Sequence, residues 1–371
     1  MPVPRHTIED GPQAVLIVPA KGRSEDTDLF LDALDKQDYQ NFRVVWCIEQ
    51  GDAAARQAFE QSALGHRGLI AEAEPAQVCA QKNANLIAGI GALQPDDELI
   101  ILADCDCMPS KTWLAEIAAI LVRKEADVVS AYRLQIPKSA TWPNWIVAAC
   151  ESALASAPRV VRIGPMHVWG GTIALRRDTF DRVDYASNIS DTFNDDLVAT
   201  HLFAKHGLRV IVPRSMLIAS FVAGNWQSSI NFARRQYFAT RIYSKILYVQ
   251  GVVVLLVNTL FWVASITLAL ASQKTGLIAL AVLFGSDFAK SWFRRRYFND
   301  ILGGQWMTNL RPIFLITTLM GPVLAIIHLG LALSSRFGTK ITWSGRTYEV
   351  KTPNAVRVIS HVLDKSPTRN V

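Results

Sequence analysis

No glycine-rich phosphate loop occurs in these 371 residues. The first apolar run ends at Pro19-Ala20-Lys21-Gly22 rather than in G-x-G-x-x-G, and G-x-x-x-x-G-K-[ST] is found nowhere. A dinucleotide oxidoreductase and a P-loop NTPase are therefore both disfavoured. Cysteine is sparse and odd in number, with five residues whose spacing gives no disulfide framework. Cys105-Asp106-Cys107 has no second Cys or His pair at zinc-like spacing, which argues against a structural zinc. A reducing, cytoplasmic setting fits this usage. The first 13 residues contain no apolar stretch of the kind a secretory signal needs, so no signal peptide is expected there. Charge is also scarce, at 19% against 50% hydrophobic residues.

What is present is unevenly distributed. Mean hydropathy is +0.18, and the long apolar runs all fall after about residue 240. The net charge of +6 suits an anionic partner. Its basic residues cluster beside those runs, as at Arg294-Arg295-Arg296, so a membrane surface is favoured over nucleic acid.

The first half alternates strand and helix patterns. Strands are predicted over 14–20, 42–49, 69–74, 98–104 and 126–132. Helices are predicted over 26–36, after Asp52 as a cap, over 79–93, and over 110–124 with Ser110 as its cap. This alternation predicts an α/β fold on a doubly wound, mostly parallel sheet, whose ligands gather at the carboxyl ends of the strands. Lys21, Glu49, Asp52, Asp104 and Asp106 follow strand ends. Asp104-Cys105-Asp106, closing the run ELIILA, can offer two carboxylates to Mg²⁺ or Mn²⁺ bridging a pyrophosphate. Gly170-Gly171 precedes a further strand, and Asp195-Asp196 opens a helix.

Three apolar stretches follow. Residues 247–271 exceed the roughly 20 residues needed to cross a bilayer. Residues 277–292 form a poorer span interrupted by Asp287 and Lys290, and 312–335 carries Gly321-Pro322 at its centre. Basic flanks at Arg234–Lys245 and Arg294–Arg296 put those positions in the cytoplasm by the positive-inside rule. A full third crossing would export a tail bearing Lys340, Arg346 and Lys351, so 312–335 is expected to be re-entrant or interfacial. The helix at 141–154 begins with Trp142 and Trp145, residue types that favour the membrane interface.

The order of these motifs resembles glycosyltransferase family 2-type enzymes, most closely the ceramide glucosyltransferase branch. Pro19-Ala20-Lys21-Gly22 resembles the family's P-x-K-G opening. Residues 47–52, with Glu49 and Asp52, match its nucleotide-binding strand end. Gln81-Lys82-Asn83-Ala84-Asn85 is similar to its lysine–asparagine segment. Ile341-Thr342-Trp343-Ser344-Gly345-Arg346-Thr347-Tyr348 resembles the branch's I-x-W-R-x-G-R-Y tail. The resemblance implies a GT-A-like catalytic domain over 1–225, an interfacial basic helix over 226–246, membrane helices over 247–335 and a cytosolic tail over 336–371. It further implies an inverting hexosyltransferase that moves a sugar, glucose first, from a UDP-sugar to ceramide or a related membrane lipid. Asp196 is then the base with Asp195 beside it, and Asp104 and Asp106 hold Mg²⁺ or Mn²⁺. Lys21, Glu49, Asp52, Lys82 and Asn85 lie on the donor side, and Gly170, Gly171, Trp142 and Trp145 on the acceptor side. The family's Q/R-x-x-R-W motif is broken here, leaving Arg234, Arg235 and Arg241 as alternative partners of the pyrophosphate. A polysaccharide synthase on the same fold and a non-catalytic membrane protein are the rival readings.

Overall fold

The computed structural model describes residues 7–8, 10–156 and 165–361. Residues 1–6 of the amino-terminal segment and 362–371 of the expected tail lie outside them. Ten strands build the amino-terminal half: β1 (Ala14–Pro19), β2 (Phe42–Glu49), β3 (Gly68–Ala73), β4 (Leu99–Leu102), β5 (Cys107–Met108), β6 (Val128–Ser130), β7 (Tyr132–Pro137), β8 (Ile173–Arg176), β9 (Val210–Ile211) and β10 (Leu217–Val222). The main sheet has the order β3-β2-β1-β4-β8-β6-β9. Its first four strands are mutually parallel, and β8 runs antiparallel to both neighbours.

The apolar runs that predicted these strands are continuous because both faces are covered. Along β1, Leu16 and Val18 enter one core with Trp46 and Trp113, while Val15 and Ile17 enter another with Leu86 and Phe203. Two sequence expectations need correction. The predicted strand 126–132 is two strands, β6 and β7, and β7 leaves the main sheet to join β5 and β10. Ser110 does not cap the next helix, which starts after Thr112 without a side-chain cap. Asp52 does cap its helix, accepting from the Ala55 amide at 3.0 Å.

Beyond β10, the helix Trp226–Tyr243 leads into two long helices, Lys245–Leu270 and Lys274–Leu302, each long and apolar enough to cross a membrane. The first, 26 residues long, spans about 39 Å at 1.5 Å per residue. Its most apolar window is only 17% buried, so its side chains face outward as lipid contact requires. The next apolar stretch is broken: Gly304–Leu319 and Gly321–Ser334 meet at 91°. Asp287 sits at the break. Its Oδ2 lies 2.4 Å from where a Cβ on Gly321 would stand, so only glycine fits beside the carboxylate.

The tail forms a third sheet, the antiparallel strands β11 (Lys340–Trp343), β12 (Arg346–Thr352) and β13 (Ala355–His361). It docks on the amino-terminal half, with Tyr348, Val350 and Val356 packed against Ala80, Phe193, Phe238 and Ile242. Tail and amino-terminal half therefore lie on the same side of the two long helices. That is the arrangement expected if the bent pair turns back rather than crosses.

Candidate active site

The parallel register of β1, β2 and β4 brings the segments after them to one edge of the sheet. The antiparallel pairing of Leu102 with Ile173 then sets Gly170-Gly171, just before β8, beside Asp104, just after β4. Lys82, in the first turn of the helix Gln81–Ile90, ties this corner together. Its Nζ lies 2.8 Å from Asp104 Oδ1 and 3.1 Å from Asp195 Oδ2. Burial disfavours the charge on Lys82, but Asp104 and Asp195 more than offset it, and its pKa lies above the ordinary lysine value.

Asp195 and Asp196 start the helix Asp195–Lys205, capped by Asn194. Asp195 is buried and turned to Lys82; Asp196 is part-buried and accepts from the Gly170 amide at 3.4 Å. Burial first, then Asp195, pushes the Asp196 pKa up to about 6. A Cβ at Gly170 would lie 2.8 Å from Lys82 Nζ and 3.0 Å from Asp195 Oδ2, and one at Gly171 would strike the Trp169 ring. The glycine pair thus lets backbone approach the carboxylates.

Asp106 opens toward solvent, yet desolvation by the surrounding protein, then Asp104, raises its pKa. Two hard oxygen donors stand here with no third His, Cys, Asp or Glu ligand among the described residues. That donor set fits Mg²⁺ or Mn²⁺ completed by phosphate oxygens rather than a metal caged by protein. All five cysteines are free thiols.

The three candidate arginines separate clearly. Arg234 donates to the Ser334 carbonyl at 3.4 Å and Arg241 to the Gly338 carbonyl at 2.8 Å. Arg235 instead stacks 4.7 Å from the Trp343 ring and 5.6 Å from Phe232. Burial, then neighbouring Arg133, pushes its pKa down to about 10, and it feels Asp106, Asp104 and Asp196 as opposing charges.

Among the residues expected on the donor side, Asp52 accepts from the Gly22 amide at 2.8 Å, and Asn85 donates to the carbonyls of Ala20 and Cys47 at 3.3 Å. Lys21 Nζ reaches the Ser344 carbonyl at 2.6 Å. Glu49 pairs with Arg346, which also holds Gln81. Trp142 is exposed, and its ring meets Trp145 edge-on at 5.5 Å on a helix that packs against Gly304–Leu319. Sequence reasoning did not single out Arg133, Trp343 or Arg346 as site residues. Arg346 and Trp343 lay inside the tail motif, and Arg133 is the one charged residue of β7. Two hollows of ≈ 300 and ≈ 430 Å³, both lined by His201, lie behind the helix Asp195–Lys205 and include none of these carboxylates.

A parallel-rich sheet with carboxylates gathered at its strand ends, followed by apolar helices, places the chain among GT-A-like glycosyltransferases. It belongs to glycosyl transferase family 21, the ceramide glucosyltransferase family, which it matches over residues 2–356. No curated protein matches the sequence. Among solved structures it is similar to the mannosyltransferase PcManGT from Pyrobaculum calidifontis in complex with GDP-Man and Mn2+. Identity there is 16%, over 90% of this chain and 77% of that one, with a TM-score of 0.45. It is also similar to S. aureus TarS 1-349, at 10% identity over 94% of this chain and 99% of that one, with a TM-score of 0.42.

Proposed function

We propose that the protein transfers a hexose, glucose first, from a UDP-sugar to a membrane lipid such as ceramide, with inversion, at the cytoplasmic face of the membrane. The observation that carries this reading is the cluster of Asp104, Asp195 and Asp196 around Lys82, on a domain that packs directly on the membrane helices. Asp196 takes the proton of the acceptor hydroxyl as that oxygen forms its bond to the anomeric carbon. The bond from that carbon to the phosphate oxygen breaks on the opposite face, and UDP leaves with its electron pair. Asp195 is held by Lys82 and is not free to compete for the proton.

Asp104 and Asp106 would hold the divalent metal, which supplies positive charge against the diphosphate. Arg235 adds a fixed cation on the same side. Glu49, Asp52, Lys82 and Asn85 shape the nucleoside side, with Lys21 tying the tail to it. The basic flanks around both long helices orient the domain to the cytoplasm. The test is transfer from labelled UDP-glucose to ceramide in mixed micelles. Asp104→Ala and Asp106→Ala should each abolish product and weaken metal-dependent UDP binding. Full activity of both variants in EDTA rejects the metal assignment, and absence of any lipid product from the wild type rejects the acceptor.

A further inference from the structure

One buried group is used by nothing described so far. Glu151, on the helix Trp142–Ala155, is 7% exposed. Among the described residues its Oε2 has no hydrogen-bond partner, and neither has Nε of Arg133, which faces it at 3.7 Å. A buried ion pair built for stability alone would satisfy its donors and acceptors. This pair stands slightly too far apart to bond, with both facing atoms unpaired.

Its position gives the pair a meaning. Arg235 stacks on Trp343 of the tail and on Phe232; Arg133 stacks on the same Phe232 at 5.1 Å and on Trp169 at 5.8 Å. Trp343, Arg235, Phe232, Arg133 and Glu151 form a ladder running from the donor side toward the membrane helices. Arg133 feels Asp106 and Asp104 as well as Glu151, so the ladder passes the reacting centre. At its far end, the helix bearing Glu151 packs on Gly304–Leu319 and is bonded to the second long helix through Arg294 and Ser156 at 2.9 Å.

We propose that Glu151 and Arg133 form the recognition site for the polar head of the lipid acceptor. Glu151 Oε2 accepts from an N–H or second O–H of that head, and Arg133 Nε donates to one of its oxygens. The acceptor class is then a lipid whose reacting hydroxyl lies next to an amide or a second hydroxyl. A simple long-chain alcohol satisfies neither group. This assignment rests on the lipid-transfer reading above.

The test compares kcat/KM for a short-chain ceramide with that for hexadecanol, in the full-length protein in detergent. Glu151→Gln exchanges the acceptor oxygen for an amide while keeping the shape. It should lower the ceramide-to-hexadecanol ratio at least tenfold, chiefly through the KM for ceramide, with UDP affinity within twofold of wild type. Glu151→Asp should recover part of the ratio. An unchanged ratio in a variant that binds UDP normally overturns the assignment while leaving lipid transfer intact. Loss of UDP binding in both Glu151→Gln and Glu151→Asp marks a structural pair and overturns it too. A wild-type protein that cleaves UDP-glucose but glycosylates neither acceptor overturns the lipid reading, and this inference with it.

Discussion

Asp195 and Asp196 are adjacent in sequence, yet their surroundings divide them. Asp195 is buried against Lys82 at 3.1 Å, whereas Asp196 accepts a long 3.4 Å contact from the Gly170 amide and has its pKa pushed up to about 6. A base must be ionised to accept a proton, so kcat/KM should fall as pH drops through about 6 and level off above it. Asp196→Asn removes the base without changing shape. Turnover should fall by about 10²–10⁴-fold, the acidic limb should vanish, and UDP binding should survive. Asp195→Asn should instead loosen Lys82 and disturb UDP binding as well as turnover. Steady-state kinetics over pH 5–8 with both variants checks this. A wild-type limb retained in Asp196→Asn assigns the base elsewhere.

Among the elements, the break between Gly304–Leu319 and Gly321–Ser334 is constrained by a single residue, Gly321. Asp287 Oδ2 and the Trp262 ring stand 2.4 and 2.7 Å from the place of a Cβ at Gly321, and the carboxylate faces the start of a helix, where a negative charge is favoured. Gly321→Leu overfills this point and should cost about 1–3 kcal/mol, lowering the melting temperature in detergent. Gly251 lies in the first long helix with nothing near its Cβ position, so Gly251→Leu should leave the melting temperature unchanged. Equal melting of both variants with wild type shows that the break is not held by close packing. The helix Trp226–Tyr243 is also used on more than one side. Arg234 and Arg241 reach carbonyls near the tail, while Arg235 and Phe232 look toward the carboxylates.

For the molecule as a whole, the docked tail ties the carboxyl-terminal strands to the amino-terminal half. Arg346 bonds to Glu49 and Gln81, Tyr348 Oη accepts from the Gln81 amide at 3.3 Å, and Asn354 donates to Asp191 at 2.8 Å. These contacts require β11 to β13 to share a compartment with the catalytic half. If the two long helices cross and return, a bent pair that turns back adds no crossing, and the proposed topology keeps the tail with the sheet. Single cysteines at Lys205, in the catalytic half, and Lys351, in the tail, should both resist an impermeant reagent in intact cells. A cysteine at Gln273, in the turn joining the long helices, should be labelled. Labelling at Lys351 but not Lys205 would show that the bent pair crosses, and labelling at Lys205 would reverse the orientation.

Much of this was written locally in the chain. The period of the apolar residues predicted β1 to β4 within a residue or two at most of their ends, because burial on both faces of a parallel strand leaves an unbroken apolar run. The position of Asp104 and Asp106 just past β4 was legible for the same reason, and in such sheets that edge is where ligands generally gather. The two long helices followed from length and hydropathy alone. Spacing could not choose among Arg234, Arg235 and Arg241, since a helix face acquires meaning only from what packs against it, here Trp343 and Phe232. Nor could it pair Glu49 with Arg346 across 297 positions, or Arg133 with Glu151. Those partnerships form only once the sheet, the membrane helices and the tail have closed on one another, and it was the tertiary structure that decided them.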